Sequence, residues 1–259
     1  MKLKNPAQIE KIRESGKVLA RTLDRLGRMV AVGVTPLDID AECRRLLKEA
    51  GATPAFLGYM GFPASICVSV NEQVIHGIPN RRKFRSGDIV SLDIGVDLDG
   101  YISDSAATFP VGSVAPEIRR LLTETRRALE LGIAAARPRG RVHDISRAIY
   151  RHVTQFGYGV VRPYCGHGVG FSVHEEPQVP NYVSAGPNPR LKPGMVLAVE
   201  PMVNLGGDDV SVLDDDWTVV TDDGSISAHF EHTIAVLDDR VEILTLLDTS
   251  EPLIAGAAL

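Results

Sequence analysis

Cysteine is scarce in this chain: Cys43, Cys67 and Cys165 are the only three in 259 residues, odd in number and far apart. That excludes a disulfide framework and fits a reducing compartment. No uncharged apolar run reaches the roughly 20 residues needed to cross a bilayer, so no membrane partner is expected. The first residues, MKLKNPAQIEKIRESGK, are charged throughout and lack the apolar stretch of a signal peptide. Positive charge is not in excess either. The formal net charge is -5, which argues against a nucleic-acid footprint and against DNA as a partner. Long linkers, low-complexity tracts and detectable repeats are missing as well. The chain therefore reads as one cytoplasmic domain over 1–259, and its 44% hydrophobic and 24% charged content is ordinary for a globular enzyme.

Helix signals occupy two regions. Asn5-Pro6 with Gln8 marks a start, and Ile9, Ile12, Leu19, Leu23, Leu26 and Met29 follow at helical spacing. Thr35-Pro36 marks a second start, running through Ile39, Leu46 and Leu47 to a stop at Gly51. Pro116 opens a long amphipathic helix ending near Pro138, and another covers 142–156 before Gly157. Strand signals fill the rest: SICVSVNEQVIHGIP, a hairpin over 88–109, MVLAVEPMV as one buried strand, and antiparallel strands from Trp217 onward with turns at 222–224 and 238–239. This order suits an α+β fold with helices covering an antiparallel sheet.

The hairpin IVSLDIGVDLDGYISD carries Asp93 in its first strand and Asp104 in its second, where carboxylates are disfavoured. A two-residue loop at Leu98-Asp99 sets them face to face. A four-residue loop centred one step later pairs Asp104 with Gly95 and leaves Asp93 one diagonal away on the same face. Exposure on an edge strand is the bland alternative. Two carboxylates that close stay ionised cheaply only with a cation between them. Asp97 and Asp99 read as turn residues; DLDG lacks the ligand spacing of a calcium loop.

Later segments add matching oddities. CGHGVG sets His167 between glycines, where a backbone can approach a ligand closely, and Glu200 and Glu231 stand inside the apolar strands AVEPMV and HFEHTIAV. HEEP, at His174, is not the helical zinc motif, because Gln178 stands where the second histidine would be; His174 reads as a catalytic imidazole. The acidic clusters at 208–216 read as solvated loops. NRRKFR at 80–85 reads as a solvated basic loop, with a transient ribosome contact as the alternative.

With these residues in view, the chain resembles the type I methionine aminopeptidases of peptidase family M24. FLGYMGFPASICVSVNEQVIHGIP, GDIVSLDIG, GYISDSAATF, GHGVG, HEEPQV, EPMV, WTV and EHTI occur in that family's order and spacing. The resemblance implies a single-domain pita-bread fold, a curved antiparallel sheet covered by helices with pseudo-two-fold symmetry. It implies two divalent ions (Co, Mn, Fe or Zn) held by Asp93, Asp104, His167, Glu200 and Glu231, with Asp104 and Glu231 bridging. Glu200 is then the general base, and His76 and His174 the active-site histidines. Tyr59, Phe62, Cys67 and Trp217 line the methionine pocket, and Met60 and Val173 depart from the family's common choices. The implied activity is removal of the initiator methionine from nascent polypeptides when the second residue is small, by a monomer.

Two relatives of the same fold fit less well. Proline-directed peptidases carry a sizeable domain before the catalytic one, and Asp93 lies too near the start for that. Type II enzymes carry an insertion between HEEP and the second glutamate, but Glu200 follows His174 by 26 positions (200 − 174). A non-catalytic binding relative would have lost ligands, and all five are here. Since Lys2 follows Met1, the protein is also expected to keep its own first methionine.

Overall fold

A computed structural model describes residues 2–247. Met1, on which the retention expectation falls, and 248–259, the end of the single-domain reading, lie outside the described residues. Two helices begin as their caps dictate. Asn5 and Gln8 form a reciprocal capping box ahead of α1 (Pro6–Gly27), and Thr35 and Asp38 do the same for α2 (Pro36–Glu49). Five strands follow in the first half: β1 (Thr53–Pro54), β2 (Cys67–Val70), β3 (Gln73–Ile75) and β4 (Ile89–Leu98), which turns into β5 (Tyr101–Pro110). Then come α3 (Pro116–Ala135) and α4 (Val142–Thr154), each two or three residues shorter than its sequence signal.

The second half runs β6 (Gly159–Val160), β7 (Gly166–Gly168), β8 (Glu175–Val179), β9 (Val196–Val199) and β10 (Met202–Asn204). It continues with β11 (Val210–Val212), β12 (Val219–Thr221), β13 (Ser227–His229), β14 (His232–Val236) and β15 (Val241–Ile243). A helix pair followed by an antiparallel sheet thus occurs twice. Leu19, Leu23, Leu26, Ile39 and Leu47 of α1 and α2 bury against Val68, Leu92 and Ile94 of the first sheet. Leu121, Leu122, Ile145 and Ile149 of α3 and α4 bury against Leu197, Val199 and Ile234 of the second.

The central hairpin departs from its first expected register. Gly95 lies opposite Asp104, and Asp93 opposite Ala106. The diagonal arrangement therefore holds, but through a two-residue turn at Asp99-Gly100 rather than a longer loop. Both turn residues have positive φ, 54° and 82°, the conformation in which an Asp-Gly pair is favoured. Asp97 Oδ1 accepts from Gly100 N at 2.8 Å, so Asp97 and Asp99 are turn residues as expected.

MVLAVEPMV is not one strand. It breaks at Glu200-Pro201 because proline has no N–H for a ladder, and the pieces join different sheets, β9 beside β14 and β10 beside β13. The chain opposite breaks in the same way between β13 and β14, at Phe230-Glu231. Among the described residues no helix is long and apolar enough to cross a membrane.

The glycines of GHGVG serve the sheet, while His167 between them faces the site. A Cβ on Gly168 would lie 2.5 Å from Glu176 O and 3.0 Å from Glu175 O, so only glycine lets β7 sit this close to β8. Gly168→Ala is expected to cost about 1–3 kcal/mol, as overpacking does. That should appear as a drop of ~2–4 °C in denaturation midpoint per kcal/mol. A midpoint equal to that of the unchanged protein would contradict the packing account.

Candidate metal centre

The five expected ligands are delivered by three local devices. Asp93 and Asp104 project from continuous strands, Asp93 being also the partner of Cys67 across β2. His167 stands in the middle of β7. Glu200 and Glu231 do not sit inside strands as expected. They sit at the two strand breaks, which frees their side chains from the up-down alternation of a pleat.

Hydroxyl groups and one backbone bond lock the second break to β5. Ser105 Oγ donates to Glu231 O at 2.6 Å, Glu231 N donates to Ala106 O at 2.8 Å, and Thr233 Oγ1 donates to Asp104 O at 2.7 Å while accepting from Asp104 N at 2.9 Å. Asn181 Nδ2 holds Glu200 O at 2.9 Å.

All five groups meet on one wall of a cavity of about 180 Å³. It opens to solvent past Met60, so a side chain can enter it while the rest of a peptide stays outside. One donor atom each from Asp104, His167 and Glu231 lies within 4.8 Å of the others. His167 Nε2 is 3.4 Å from Glu200 Oε1 and 4.0 Å from Asp104 Oδ2. Asp93 Oδ1, Asp104 Oδ1 and Glu231 Oε1 are buried with no hydrogen-bond partner among the described residues. Orphaned buried carboxylate oxygens beside an imidazole nitrogen are what a divalent cation would satisfy.

Electrostatics point the same way. Burial, together with the neighbouring charge of Asp93, pushes Asp104 well above the usual carboxylate range, and burial beside Asp104 does the same to Glu231. Burial pushes Asp93 up to about 7. Glu200 runs opposite: burial raises it, but His229, His167 and His174 outweigh burial and hold it below its ordinary value. His76 and His174 are each lowered by burial to about 4, so both imidazoles are neutral near pH 7.

Every other expected site residue lines this cavity. His76 follows β3 in a left-handed conformation, φ 58°, its ring 5.7 Å from Tyr164 and 6.3 Å from Trp217. His174 Nδ1 is 3.0 Å from Tyr59 Oη, and its ring is 4.3 Å from that of His167. Phe62 and Trp217 pack edge to face at 5.1 Å. Cys67 forms the floor, its thiol pushed well up by burial and then by Asp93. Met60 stands at the rim, 82% exposed. Val173 does not line the cavity; it is buried behind the wall with Phe62 and Cys67.

Four lining residues were missed in the sequence reading: Phe56, Ile75, Tyr164 and Cys165. For Phe56 a signal existed in Gly95, where a Cβ would fall 2.5 Å from its ring. His229, 3.6 Å from Glu200 Oε2, was missed too, although HFEH contains it.

The acidic clusters are not merely solvated. Asp215 accepts from Trp217 N and Thr218 N at 2.9 and 2.8 Å and so aims the tryptophan, while Asp208 pairs with Arg162 at 2.8 Å. In NRRKFR, Arg82 pairs with Asp88 at 2.8 Å and Phe84 is buried. All three cysteines are free.

Residues 10–238 match the profile of metallopeptidase family M24. The chain is 50% identical over 246 residues to a methionine aminopeptidase of Treponema pallidum, covering 95% of this chain and 96% of that one. It is 48% identical over 242 residues to methionine aminopeptidase 1 of Bacillus subtilis, covering 93% and 98%. Its structure superposes on the crystal structure of methionine aminopeptidase from Rickettsia prowazekii with a TM-score of 0.92 at 42% identity, covering 95% and 100%. A prolidase from Pyrococcus furiosus, 22% identical with a TM-score of 0.77 and two-thirds covered (66%), shares the fold alone.

A carboxyl raised in the folded state favours folding while it is protonated. Its contribution is complete below the unfolded value near 4 and lost as pH rises through the folded value, about 7 for Asp93. The metal-free protein should therefore lose thermal stability as pH rises across that window. Added Mn²⁺ or Co²⁺ should raise the midpoint more at about pH 8 than at about pH 5. Melts with chelator and with metal check this; an increment independent of pH would contradict the cation reading.

Proposed function

The chain belongs to metallopeptidase family M24, among its methionine aminopeptidases with the pita-bread fold, and we propose that this cavity releases methionine from nascent polypeptides whose second residue is small. The protein is a metal-dependent aminopeptidase, a hydrolase. The observation that carries the finer reading is the convergence of five buried acidic and imidazole groups on one wall of an otherwise apolar cavity of side-chain size. The family match over 10–238 supports one catalytic domain for 1–259.

Asp93 would hold one ion, His167 and Glu200 the other, and Asp104 and Glu231 both. One nitrogen among carboxylate oxygens suits Mn, Fe, Co or Zn. When bound, such a pair supplies Lewis acidity and brings the pKa of water toward neutrality.

The remaining roles belong to side chains. Glu200, kept ionised by the imidazoles around it, takes a proton from the attacking water as general base. A hydroxyl hydrogen given by Tyr59 to His174 Nδ1, 3.0 Å away, would fix the tautomer with the proton on Nε2. That N–H then donates to the carbonyl oxygen of the first residue as negative charge develops. His76, also neutral, meets the amide of the second residue across the cavity. The methionine side chain fills the space between Tyr59, Phe62, Cys67 and Trp217, with Phe56 and Ile75 completing the wall.

The enzyme works as a cytoplasmic monomer, a setting consistent with its free thiols. With Arg82 and Phe84 engaged internally, Arg81, Lys83 and Arg85 are the exposed residues left for a transient ribosome contact.

After chelation and re-addition of Mn, Fe, Co or Zn, methionine should be released from Met-Ala-Ser and not from Met-Lys-Ser. Asp104→Asn should abolish release, and His174→Ala should lower kcat ~10²–10³-fold, the usual worth of one oxyanion donor. Folded protein that releases nothing with any of the four metals would sink the assignment and send the search to proline-containing peptides. By the same second-residue rule Met1 stays in place before Lys2, and a native mass short of one methionine would contradict the rule.

A further inference from the structure

Lys4 precedes the first helix, yet its side chain ends inside the protein. Its ammonium lies 2.6 Å from Glu175 Oε2, 171 positions along the chain, with the two side chains 1% and 7% exposed. Such a pair is a poor source of net stability, because desolvating both charges cancels most of their attraction. What it fixes matters more.

The other oxygen of the same carboxylate, Glu175 Oε1, accepts from Phe171 N at 2.7 Å and Ser172 N at 3.2 Å. Glu175 therefore ties the N-terminal arm to the loop between β7 and β8, and His174 is the last residue of that loop. The arm is itself anchored, since Lys4 N donates to Gly194 O at 2.7 Å. The ammonium also stands 5.2 Å from the centre of the Phe171 ring. A Cβ at Gly170 would come within 2.7 Å of Lys4 Cε, so the loop has no side chain where the lysine passes.

We propose that the buried Lys4–Glu175 pair is a positioning clamp for His174, making the N-terminal arm part of the catalytic apparatus. The proposal rests on the reading of His174 as the imidazole that meets the substrate carbonyl. Without the ammonium, Glu175 is a buried carboxylate left with two amide donors, and it will turn toward water. Phe171 and Ser172 then lose their acceptor, and His174 loses its fixed approach to Tyr59 and the cavity. The acidic groups of the metal wall project from β4, β5 and the two strand breaks, so they stay in place.

The test compares Lys4→Met, Lys4→Arg and the charge-free pair Lys4→Met with Glu175→Gln, all metal-loaded and well below their melting midpoints. Lys4→Met should lower kcat on Met-Ala-Ser about tenfold or more, since small displacements of a catalytic group cost that much. KM should stay within about twofold, metal affinity by calorimetry should not change, and amide exchange at Phe171 and Ser172 should accelerate. Lys4→Arg should restore most of kcat. In a His174→Ala background, Lys4→Met should add little further loss, because its effect runs through His174. Should Lys4→Met alone fail to fold, the charge-free pair carries the same comparison. An unchanged kcat, or an equal loss with and without His174, would overturn the clamp. If the unmodified enzyme releases no methionine, the aminopeptidase reading fails instead, and exchange at Phe171 and Ser172 still reports whether Lys4 holds the loop.

Discussion

Burial of four carboxyl groups side by side is the constraint that the rest of this structure has to accommodate. Asp93, Asp104, Glu200 and Glu231 share one wall with little water to solvate them. The fold accommodates them at the seam between its two half-sheets. Ser105, Thr108 and Thr233 use their hydroxyls to close backbone gaps that strand pairing leaves open at the Phe230-Glu231 break; Thr108 Oγ1, for example, both accepts from His229 N at 2.9 Å and donates to His229 O at 2.8 Å. Each bond contributes only about 1 kcal/mol net. Together they position Asp104 and Glu231 before any cation arrives, and the raised pKa values record first the burial and then the neighbouring carboxylates that a cation would offset.

The same burial acts oppositely on acids and bases, and the site uses both effects. Desolvation pushes carboxylic acids toward their neutral form and imidazoles toward theirs. His76 and His174, lowered to about 4, become neutral donors able to meet a carbonyl without adding charge beside the cations. Glu200 escapes the trend because three histidines surround it, and an ionised carboxylate is what a general base must be. One apolar enclosure thus sorts its titratable groups into different roles by their neighbours alone.

Much of the metal chemistry was legible in the sequence, because each expected ligand stood in the wrong context, whereas His76 and the pocket residues were reached only through the family resemblance. An aspartate in a strand or a glutamate amid valines is costly without a purpose, and all four such residues converge with His167. Helix starts were equally readable, since a capping box is local physics. The rest depended on comparing competing signals. Asp-Gly is a stronger turn signal than Leu-Asp, and giving it that weight would have set the hairpin register at once. In MVLAVEPMV the apolar run hid the meaning of Pro201, which ends one strand and starts another. His229 looked like an ordinary strand residue, since nothing nearby in the chain announces that its ring will lie against Glu200. Phe56, Ile75, Tyr164 and Cys165 come to the cavity through tertiary packing, for which a single sequence carries no direct signal.

The two strand breaks also explain why the site divides its labour as it does. Cations demand fixed distances, and the residues expected to hold them stand on strands or at breaks bolted to strands. Substrate contacts demand adaptability, and most of those residues stand on connecting segments: Tyr59 in a single 3-10 turn, His76 in a left-handed corner, His174 and Trp217 in loops, with Cys67 and Ile75 on strands as the exceptions. A loop has few ladder bonds of its own to hold a side chain steady. Carboxylates replace them. Asp215 gathers the amides of Trp217 and Thr218, Asp40 takes Ser65 N at 2.7 Å, and Glu175 gathers Phe171 and Ser172. Of these three, Glu175 alone is nearly sealed from water together with its counter-ion, and it stands next to the histidine whose direction matters most. An acid that braces a loop can be read in sequence only as polar; its work becomes visible once the amides it gathers are known.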